Sequence, residues 1–173
     1  MPDLTILHGC RTIQLTRGLN TLIDEADFET VCHLRWHIRG TGNNSYATHS
    51  EPTGSTPKHR PVRLHRLLTS TADDKRIDHK NGDRLDNRKY NLRTATRLEN
   101  NRNIHVPKGK SRFKGVIWDA SKNCWKARIG IEGKALYLGS SQTEEECALL
   151  YDAAARKFFG EFACTNLDIY GAY

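Results

Sequence analysis

A segment near the middle of the chain combines the residue types that hydrolysis of a phosphodiester requires. It opens with Asp78 and His79, turns through Asn81-Gly82-Asp83, and continues with amides as far as Asn100. Imidazole titrates near neutral pH, so His79 can take a proton from water. Asp78 offers a carboxylate oxygen and Asn100 an amide oxygen, which suit a Mg²⁺ ion that keeps several of its waters. The segment therefore indicates a divalent metal held beside a general base.

For an isolated Asp-His pair, the alternative is an Asx-rich turn with a surface histidine. The amides that follow this pair favour a functional site instead. Adjacent residues of a strand point to opposite sides, so Asp78 and His79 can serve the metal and the water separately. Asn91 is predicted to hold the loop by hydrogen bonding to the backbone around His79. Asn101 and Asn103 lie close enough in sequence to be alternatives for the last metal ligand.

Small β-hairpins are predicted ahead of this segment. Residues 12–28 read as a hairpin followed by a helical turn that Asp24 caps, and a second hairpin joins Trp36 to Tyr46. Residues 50–61 are rich in Pro, Ser, Thr and Gly, which is typical of an exposed loop or of a connection at a sheet edge. The buried face of the helical turn is predicted to consist of Phe28, Val31, Cys32 and Leu34.

Short elements on both sides are predicted to position the segment itself. Apolar spacing over residues 62–68 indicates an amphipathic helix, and residues 75–79 read as a strand that ends in the reactive pair. Asn81-Gly82-Asp83 is a hairpin-turn signal, and residues 96–100 read as a short helix. His65 has three alternative roles at this stage: support of the site, contact with DNA, or structure alone.

Positive charge is concentrated in the same part of the chain. The protein has 173 residues and a formal net charge of +7. Residues 61–110 carry 13 basic and 6 acidic side chains, whereas the segments before and after them are each neutral. This distribution is what a phosphate-backbone contact surface requires, because neutralised phosphates release counterions. The alternative is a basic face that serves solubility alone.

Residues 111–173 are predicted to form a module of three strands and one helix. The strands are predicted over residues 113–118, 124–131 and 134–139. The helix is predicted to begin with a capping box of Thr143 and Glu146, to bury Cys147, Tyr151, Ala154 and Phe158, and to end at Gly160. Such a sheet can enter the major groove of DNA. Its other face is predicted to carry Lys114, Trp118, Lys126, Arg128 and Lys134, and the further predicted DNA contacts are Trp125, Arg112, Arg93 and Arg97.

Composition and cysteine spacing exclude several other classes of protein. No apolar run approaches the roughly 20 residues that span a bilayer, and the first residues lack the pattern of a signal peptide. The five cysteines form no Cys-x-x-Cys pair, which argues against a zinc site or a disulfide framework. We therefore expect a folded protein in a reducing cytoplasm, that of the host cell if the gene belongs to a phage.

Two known families resemble different parts of the chain. Asp78 to Asn100, preceded by Leu64-His65-Arg66-Leu67, resembles the HNH (ββα-metal) nucleases of phages and of intron-associated homing endonucleases. The resemblance implies that His79 is the general base, that Asp78 and Asn100 ligate one Mg²⁺ or Mn²⁺, and that Asn91 orients the loop. Segments from Phe113-Lys114-Gly115-Val116 through Trp125-Lys126-Ala127-Arg128-Ile129 to Asn166 resemble the AP2/ERF DNA-binding domain.

The resemblances imply an α+β protein with two modules. An HNH nuclease domain over residues 1–106 has a β-rich part (1–60) and the ββα-metal motif (about 62–104). A linker over 107–111 leads to an AP2/ERF-like domain over 112–168, a three-stranded antiparallel sheet packed on one helix. The expected function is a phage-encoded, homing-type endonuclease that hydrolyses double-stranded DNA as a monomer or homodimer, with no membrane partner. The alternatives are a catalytically inactive AP2-type DNA-binding regulator and an RNA-binding module.

Overall fold

Helices and strands are mixed along the chain, as predicted for an α+β protein. The structure, a computed structural model, describes residues 9–54, 58–71, 75–103 and 110–172. The chain divides into two compact units, Met1–Thr96 and Arg97–Tyr173. The predicted linker over 107–111 lies largely outside the described residues, and the predicted domain boundaries stay a prediction.

The first unit begins with the predicted hairpin. Strands β1 (Cys10–Gln14) and β2 (Asn20–Asp24) pair in antiparallel fashion, and a short 3₁₀ turn joins them. A further 3₁₀ turn leads into helix α1 (Phe28–Val31). Asp24 occupies the predicted N-cap position but makes no side-chain cap bond, because its carboxylate accepts the backbone N–H of Lys89 at 2.7 Å. Cys32, predicted to be buried, is exposed.

The second sheet of this unit has three antiparallel strands in the order β3–β4–β5. Their bounds are β3 (His37–Arg39), β4 (Tyr46–Pro52) and β5 (His59–Arg63). The predicted hairpin between Trp36 and Tyr46 is confirmed. The exposed loop predicted over residues 50–61 is wrong in extent, because β4 and β5 pair as far as Pro52 opposite His59. Strand β5 lies at an edge of the sheet, where its Pro61 is tolerated without a backbone donor.

The core of the first unit lies under these two sheets. Helix α2 (Leu64–Thr69) confirms the predicted amphipathic helix and closes the core with Leu64, which is fully buried. Trp36 satisfies its indole N–H by donating to the carbonyl of Val31 at 2.9 Å. The buried cluster consists of Leu15, Ile23, Val31, Trp36, Ile38, Ala47 and Leu64.

The Asp78-His79 pair lies on the first of two short paired strands. Strands β6 (Arg76–His79) and β7 (Leu92–Ala95) pair in antiparallel fashion, with Asp78 opposite Arg93. The predicted strand over residues 75–79 is thus confirmed. The predicted turn is present and Gly82 adopts a positive φ of 75°, but a loop over residues 80–91 joins the strands in place of a tight hairpin.

The second unit begins with helix α3 (Arg97–Arg102), which confirms the predicted short helix. Its sheet has the order β10–β9–β8, with bounds β8 (Val116–Asp119), β9 (Cys124–Ile131) and β10 (Lys134–Ser141). The strand predicted from Phe113 begins only at Val116. Gly115 interrupts it with a φ of 78°, and a Cβ at this position would lie 1.9 Å from the ring of Tyr151.

Helix α4 (Glu144–Phe159) packs on this sheet and ends at Gly160, as predicted. The predicted capping box is wrong, because Thr143 makes no side-chain cap and Glu146 accepts from the hydroxyl of Ser141 instead. A capping box of Thr165 and Asp168 begins the following helix, α5 (Asn166–Tyr170).

Two adjoining clusters of buried side chains fill the space between α4 and the sheet. Cys147, Tyr151 and Ala154 are buried as predicted, but Phe158 is 42% exposed and Phe159 is buried in its place. Phe159 follows Ala155 by four residues, so both lie on the same face of the helix. In the described part of the chain, no helix is both long and apolar enough to cross a membrane.

Candidate active site

His79 lies at the end of β6 and is only 4% exposed. Its Nε2 lies 3.2 Å from Oδ1 of Asn87. The amide of Asn87 is oriented by its other end, since Nδ2 donates to the hydroxyl of Thr21 at 2.7 Å. That hydroxyl in turn donates to the carbonyl of Leu85 at 2.6 Å. The network therefore makes Nε2 of His79 the N–H donor and leaves the lone pair, which can accept a proton, on Nδ1.

The N-terminal hairpin holds the loop that carries Asn87. Leu22 of β2 donates its N–H to the carbonyl of Leu85 and accepts the N–H of Asn87, both at 2.8 Å. These two bonds form an isolated parallel bridge between Leu22 and Asp86. Strand β2 thus continues its hydrogen bonding into the loop and holds the backbone around Asp86 in place.

Asn91 fastens the same loop from its other end. Its Oδ1 accepts the N–H of Asn81 at 3.0 Å, and its Nδ2 donates to the carbonyl of Asp86 at 2.8 Å. The backbone carbonyl of Asn91 also accepts the N–H of Lys80, the residue after His79, at 2.9 Å. The side chain is only 1% exposed. These contacts agree with the loop-holding bonds expected of Asn91, whose part in catalysis stays a prediction.

Asp78 faces Arg93 across the β6–β7 pair. Its Oδ2 accepts two bonds from the guanidinium, from Nε at 2.9 Å and from Nη2 at 2.7 Å. Both side chains are less than a tenth exposed. Arg93 was predicted to contact DNA, but this buried ion pair places it inside the unit. Its observed contact fixes the orientation of the Asp78 carboxylate.

Two more rings surround His79. The ring of His65 lies edge-on with its centroid 5.2 Å away, and the ring of Tyr46 lies 6.5 Å away. Burial, together with the charges of His79 and of nearby arginines, lowers the pKa of His65 to about 3. Burial also lowers the pKa of His79, against the opposing effects of the Asn87 hydrogen bond and the Asp78 charge. Both imidazoles are therefore neutral at pH 7.

The donor chemistry at Asp78 fits a hard divalent cation, which takes carboxylate and amide oxygens and retains waters. The Asp78 carboxylate is buried, pairs with Arg93 and neighbours His79 in the chain. Within the described ranges, no group of three His, Cys, Asp or Glu side chains forms a metal cluster. Asn100 and Asn101 lie on α3, and Asn103 lies just beyond it. Which of these amides is a ligand stays a prediction.

The second unit presents a basic sheet face away from α4. Strand register places Arg128 opposite Tyr137 and Lys126 opposite Ser140, on the side of the sheet that does not carry Ala127 and Ile129. Arg128 and Tyr137 are exposed. Lys126 forms an ion pair with Asp119, which raises the pKa of Lys126 and keeps the carboxylate ionised. Of the five side chains predicted for this face, the strand register places Arg128 and Lys126 on it.

Two residues predicted for this face, Trp118 and Lys134, lie on the opposite side of the sheet, as does Trp125, a further predicted DNA contact. Trp118 pairs with Trp125 across the strands, and Trp125 packs on the cluster beneath α4, so both indoles belong to the helix side. Their rings lie 5.1 Å apart. Lys134 pairs with Ile131, which packs on the same side. The alternation of residue types in the sequence does not determine which side chains face α4. The pairing of β8 with β9 determines it for Trp118.

Lys114 does not reach the sheet face either. Its Nζ donates to the carbonyls of Arg102 and Cys164, at 2.6 and 3.3 Å, and burial lowers its pKa. Its position on the sheet face was therefore a wrong prediction. Arg112 is exposed and forms an ion pair with Glu145, and Arg97 is exposed at the start of α3. The roles of these two arginines in DNA binding stay predictions.

Sequence reasoning missed the partners that orient His79. Neither Asn87 nor Thr21 was predicted to act on His79, and nothing in the sequence joins these two residues, which are 66 positions apart. Tyr46 was assigned to a hairpin and not to the neighbourhood of His79. A hydroxyl or an amide carries no sequence signal when its partner is distant in the chain.

Comparison with known proteins gives matches to two groups. A family model described as HNH endonuclease matches residues 72–102, the range that contains Asp78, His79, Asn91 and Asn100. An uncharacterized HNH endonuclease of Acanthamoeba polyphaga mimivirus is 29% identical over 150 residues, which cover 87% of this chain and 76% of the viral protein.

The other group consists of plant transcription factors. An AP2-like ethylene-responsive transcription factor of Oryza sativa subsp. japonica is 48% identical over 64 residues, which cover 36% of this chain and 10% of that protein. A second one, from Arabidopsis thaliana, is 44% identical over 64 residues, which cover 19% of its length. The chain thus spans a fifth or less of these two relatives.

Proposed function

We propose that this protein is a metal-dependent DNA endonuclease in which His79 acts as the general base. The observation that carries the proposal is the buried imidazole, fixed as one neutral tautomer by Asn87, inside the segment that matches the HNH endonuclease model. The similarity to a viral HNH endonuclease over most of the chain supports nuclease activity.

In the proposed reaction, Nδ1 of His79 takes a proton from water as the water attacks the phosphorus. Because burial lowers the pKa of His79, the base is neutral and ready at pH 7. The P–O bond to the 3′ oxygen breaks, and that oxygen takes a proton from a solvent water, which leaves a 5′-phosphate and a 3′-hydroxyl. Asn87 keeps the ring from rotating, and Asn91 holds the loop on which Asn87 lies. These bonds supply the fixed geometry that a general base requires.

Asp78 and Asn100 would hold one Mg²⁺ or Mn²⁺, with Asn101 and Asn103 as alternatives to Asn100. Such an ion neutralises charge on the phosphoryl oxygens and stabilises the departing oxygen. Arg93 orients the Asp78 carboxylate through two hydrogen bonds to Oδ2. The same pair lowers the net charge around the carboxylate, so we expect the metal to bind weakly without DNA.

The second unit would bind duplex DNA through the sheet face that carries Arg128, Tyr137 and Lys126. The similarity to AP2-like transcription factors supports an AP2/ERF-like domain with a DNA partner. A two- or three-stranded sheet fits the major groove, and arginine pairs with guanine there. We propose that this unit brings the nuclease to DNA and that one active site per chain makes single-strand nicking the basic reaction. A phage origin, a homing character, a cytoplasmic location and a monomeric or dimeric state belong to the same proposal.

The test is nicking of supercoiled plasmid by purified protein with Mg²⁺ or Mn²⁺. The His79→Ala variant is expected to lose about 10²- to 10⁴-fold in rate, the range that a general base contributes. His33→Ala, a change at an exposed histidine, serves as the matched control and should nick like the parent. A parent that binds DNA and nicks none with any divalent metal would favour the catalytically inactive regulator.

A further inference from the structure

A groove lined by arginines lies on the first unit. It has a volume of about 730 Å³, and its walls include Arg39, Thr48, Arg63, Arg66 and Arg60. The arginines come from β3, β5 and α2. These side chains are here called the arginine groove.

The register of the sheet explains why arginines gather there. Ile38 and Ala47 pair across β3 and β4 and face the core, so the alternate residues face the other way. Arg39 follows Ile38, and Thr48 pairs with Arg63. Thr48 is only 1% exposed although it lies on this outer face. It forms the floor of the groove beneath longer side chains.

The described side chains that line the groove carry net positive charge. Among the described residues that line it, none is acidic. Arg60 forms an exposed ion pair with Glu51 at 2.8 Å, which offsets one charge. Arg66 donates to the backbone carbonyl of Lys75 at 3.0 Å, a neutral acceptor that orients the guanidinium without cancelling its charge. Guanidinium groups pair with phosphate oxygens through two parallel hydrogen bonds.

The groove meets the surroundings of His79 at Tyr46. The guanidinium carbon of Arg63 lies 4.6 Å from the centre of the Tyr46 ring, and that ring lies 6.5 Å from the ring of His79. Arg84 covers the same ring at 4.9 Å. Each strand of a duplex carries a phosphate about every 3.4 Å along the helix axis. A strand that crosses Tyr46 therefore places neighbouring phosphates near His79 and near Arg63.

We infer that the arginine groove binds the phosphate backbone of the DNA strand being cut and guides it to His79. This inference rests on the proposed nuclease function and adds a contact surface to it. The groove contacts the sugar–phosphate backbone on one side of the scissile bond. It therefore adds affinity without adding sequence preference, because phosphates carry no base information.

The test measures binding without cleavage. A short fluorescein-labelled duplex of arbitrary sequence is titrated by fluorescence anisotropy in EDTA at several salt concentrations. Replacing Arg39 and Arg63 together by Gln removes two phosphate contacts, so the slope of log K against log salt should fall by nearly two, at about 0.9 per contact. At the lowest salt we expect the affinity to fall by about tenfold or more.

Two further variants make the result specific. Arg35→Gln with Arg156→Gln removes the same charge from exposed arginines outside the groove and should leave the slope almost unchanged. Arg39→Lys with Arg63→Lys keeps the charge and should keep most of the slope. Circular dichroism and the thermal midpoint of each variant establish that it is folded.

The outcomes for the groove and for the nuclease are distinguishable. If the parent nicks plasmid DNA with Mg²⁺ and the double Gln variant keeps the parental slope, the groove assignment is wrong and the nuclease stands. If the slope falls as expected but the parent nicks no DNA, the groove binds phosphate and the proposed nuclease function is wrong. A loss of slope equal to that of the Arg35 and Arg156 control would also overturn the assignment.

Discussion

At the scale of single residues, burial keeps two neighbouring histidines neutral. His79 can act as a base because it is neutral, and the neighbouring His65 is neutral for the same reason. Asn87 provides an acceptor for one nitrogen of His79, so the position of the remaining proton-accepting nitrogen is set by hydrogen bonding. This burial makes the fold sensitive to acid, because a protonated imidazole would place a positive charge where little water can solvate it.

The pKa of His65, lowered to about 3 chiefly by burial, predicts acid sensitivity of the fold. Between this pKa and the ordinary value of about 6.5 the unfolded chain binds a proton that the folded chain does not. The contribution of His65 to the free energy of unfolding is therefore complete above pH 6.5. It is lost as the pH falls, by up to about 1.4 kcal/mol per pH unit. His79 contributes with the same sign. The His65→Gln variant should show a shallower loss of unfolding free energy between pH 7 and pH 5.

Urea unfolding measures this loss in a background where Trp118 and Trp125 are replaced by Phe. The chain has three tryptophans, so fluorescence then reports only Trp36 in the core of the first unit. His33→Gln, at an exposed position, is the control and should lose stability in parallel with the parent. Equal slopes for His65→Gln and the parent would contradict the lowered pKa of His65.

At the scale of elements, β2 acts on the loop over residues 80–91. The hydroxyl of Thr21 is fully buried and joins the loop at two points, the carbonyl of Leu85 and the amide of Asn87. Such a strand-to-loop connection gives a long loop the rigidity that a base at its end requires. Further contacts join the loop to the unit outside β2, among them the ion pair of Lys89 with Asp27 at 2.6 Å.

Replacing Thr21 by Val tests this connection while keeping the shape of the side chain. The carbonyl of Leu85 and the amide of Asn87 each lose a hydrogen-bond partner, so we expect a loss of about 1–3 kcal/mol in unfolding free energy. Hydrogen exchange should become faster in the loop over residues 80–91, and nicking should slow because Asn87 no longer has a fixed orientation. Thr12→Val on β1, an exposed position, is the control. Unchanged exchange in the loop would show that β2 does not hold it.

At the scale of the whole molecule, the two units carry different parts of the proposed function. The first holds the buried imidazole and the arginine groove, and the second holds the sheet face with Arg128. A contact that serves only binding changes affinity and leaves the chemical step alone. The two units should therefore respond differently to substitution.

Arg128→Ala is expected to raise the KM for DNA by about 5- to 150-fold and to leave kcat unchanged, because an arginine contact to DNA is worth about 1–3 kcal/mol. Steady-state nicking over a range of DNA concentrations measures both constants. Lys157→Ala, a change on α4 in the same unit, removes equal charge away from the sheet face and should alter neither. A fall in kcat for Arg128→Ala at saturating DNA would contradict the division of roles.

The sequence by itself determined the elements that depend on local pattern. Alternation of apolar residues predicted β9 at its observed bounds, and the periodic spacing before Gly160 predicted α4 and its end. The Asp78-His79 pair with its turn and amides indicated the candidate site, because these residue types and their spacing are themselves the signal. Each of these features depends on neighbours within a few positions of the chain.

Only the tertiary structure decided which distant groups meet. The bond between Thr21 and Asn87, the ion pair of Asp78 with Arg93, and the side of the sheet on which Trp118 lies all depend on pairing between strands. A shift of one residue in register turns every side chain of a strand to the other face, and local sequence does not set that register. Long-range pairing therefore fixed the environment of His79 and gathered the arginines of the groove.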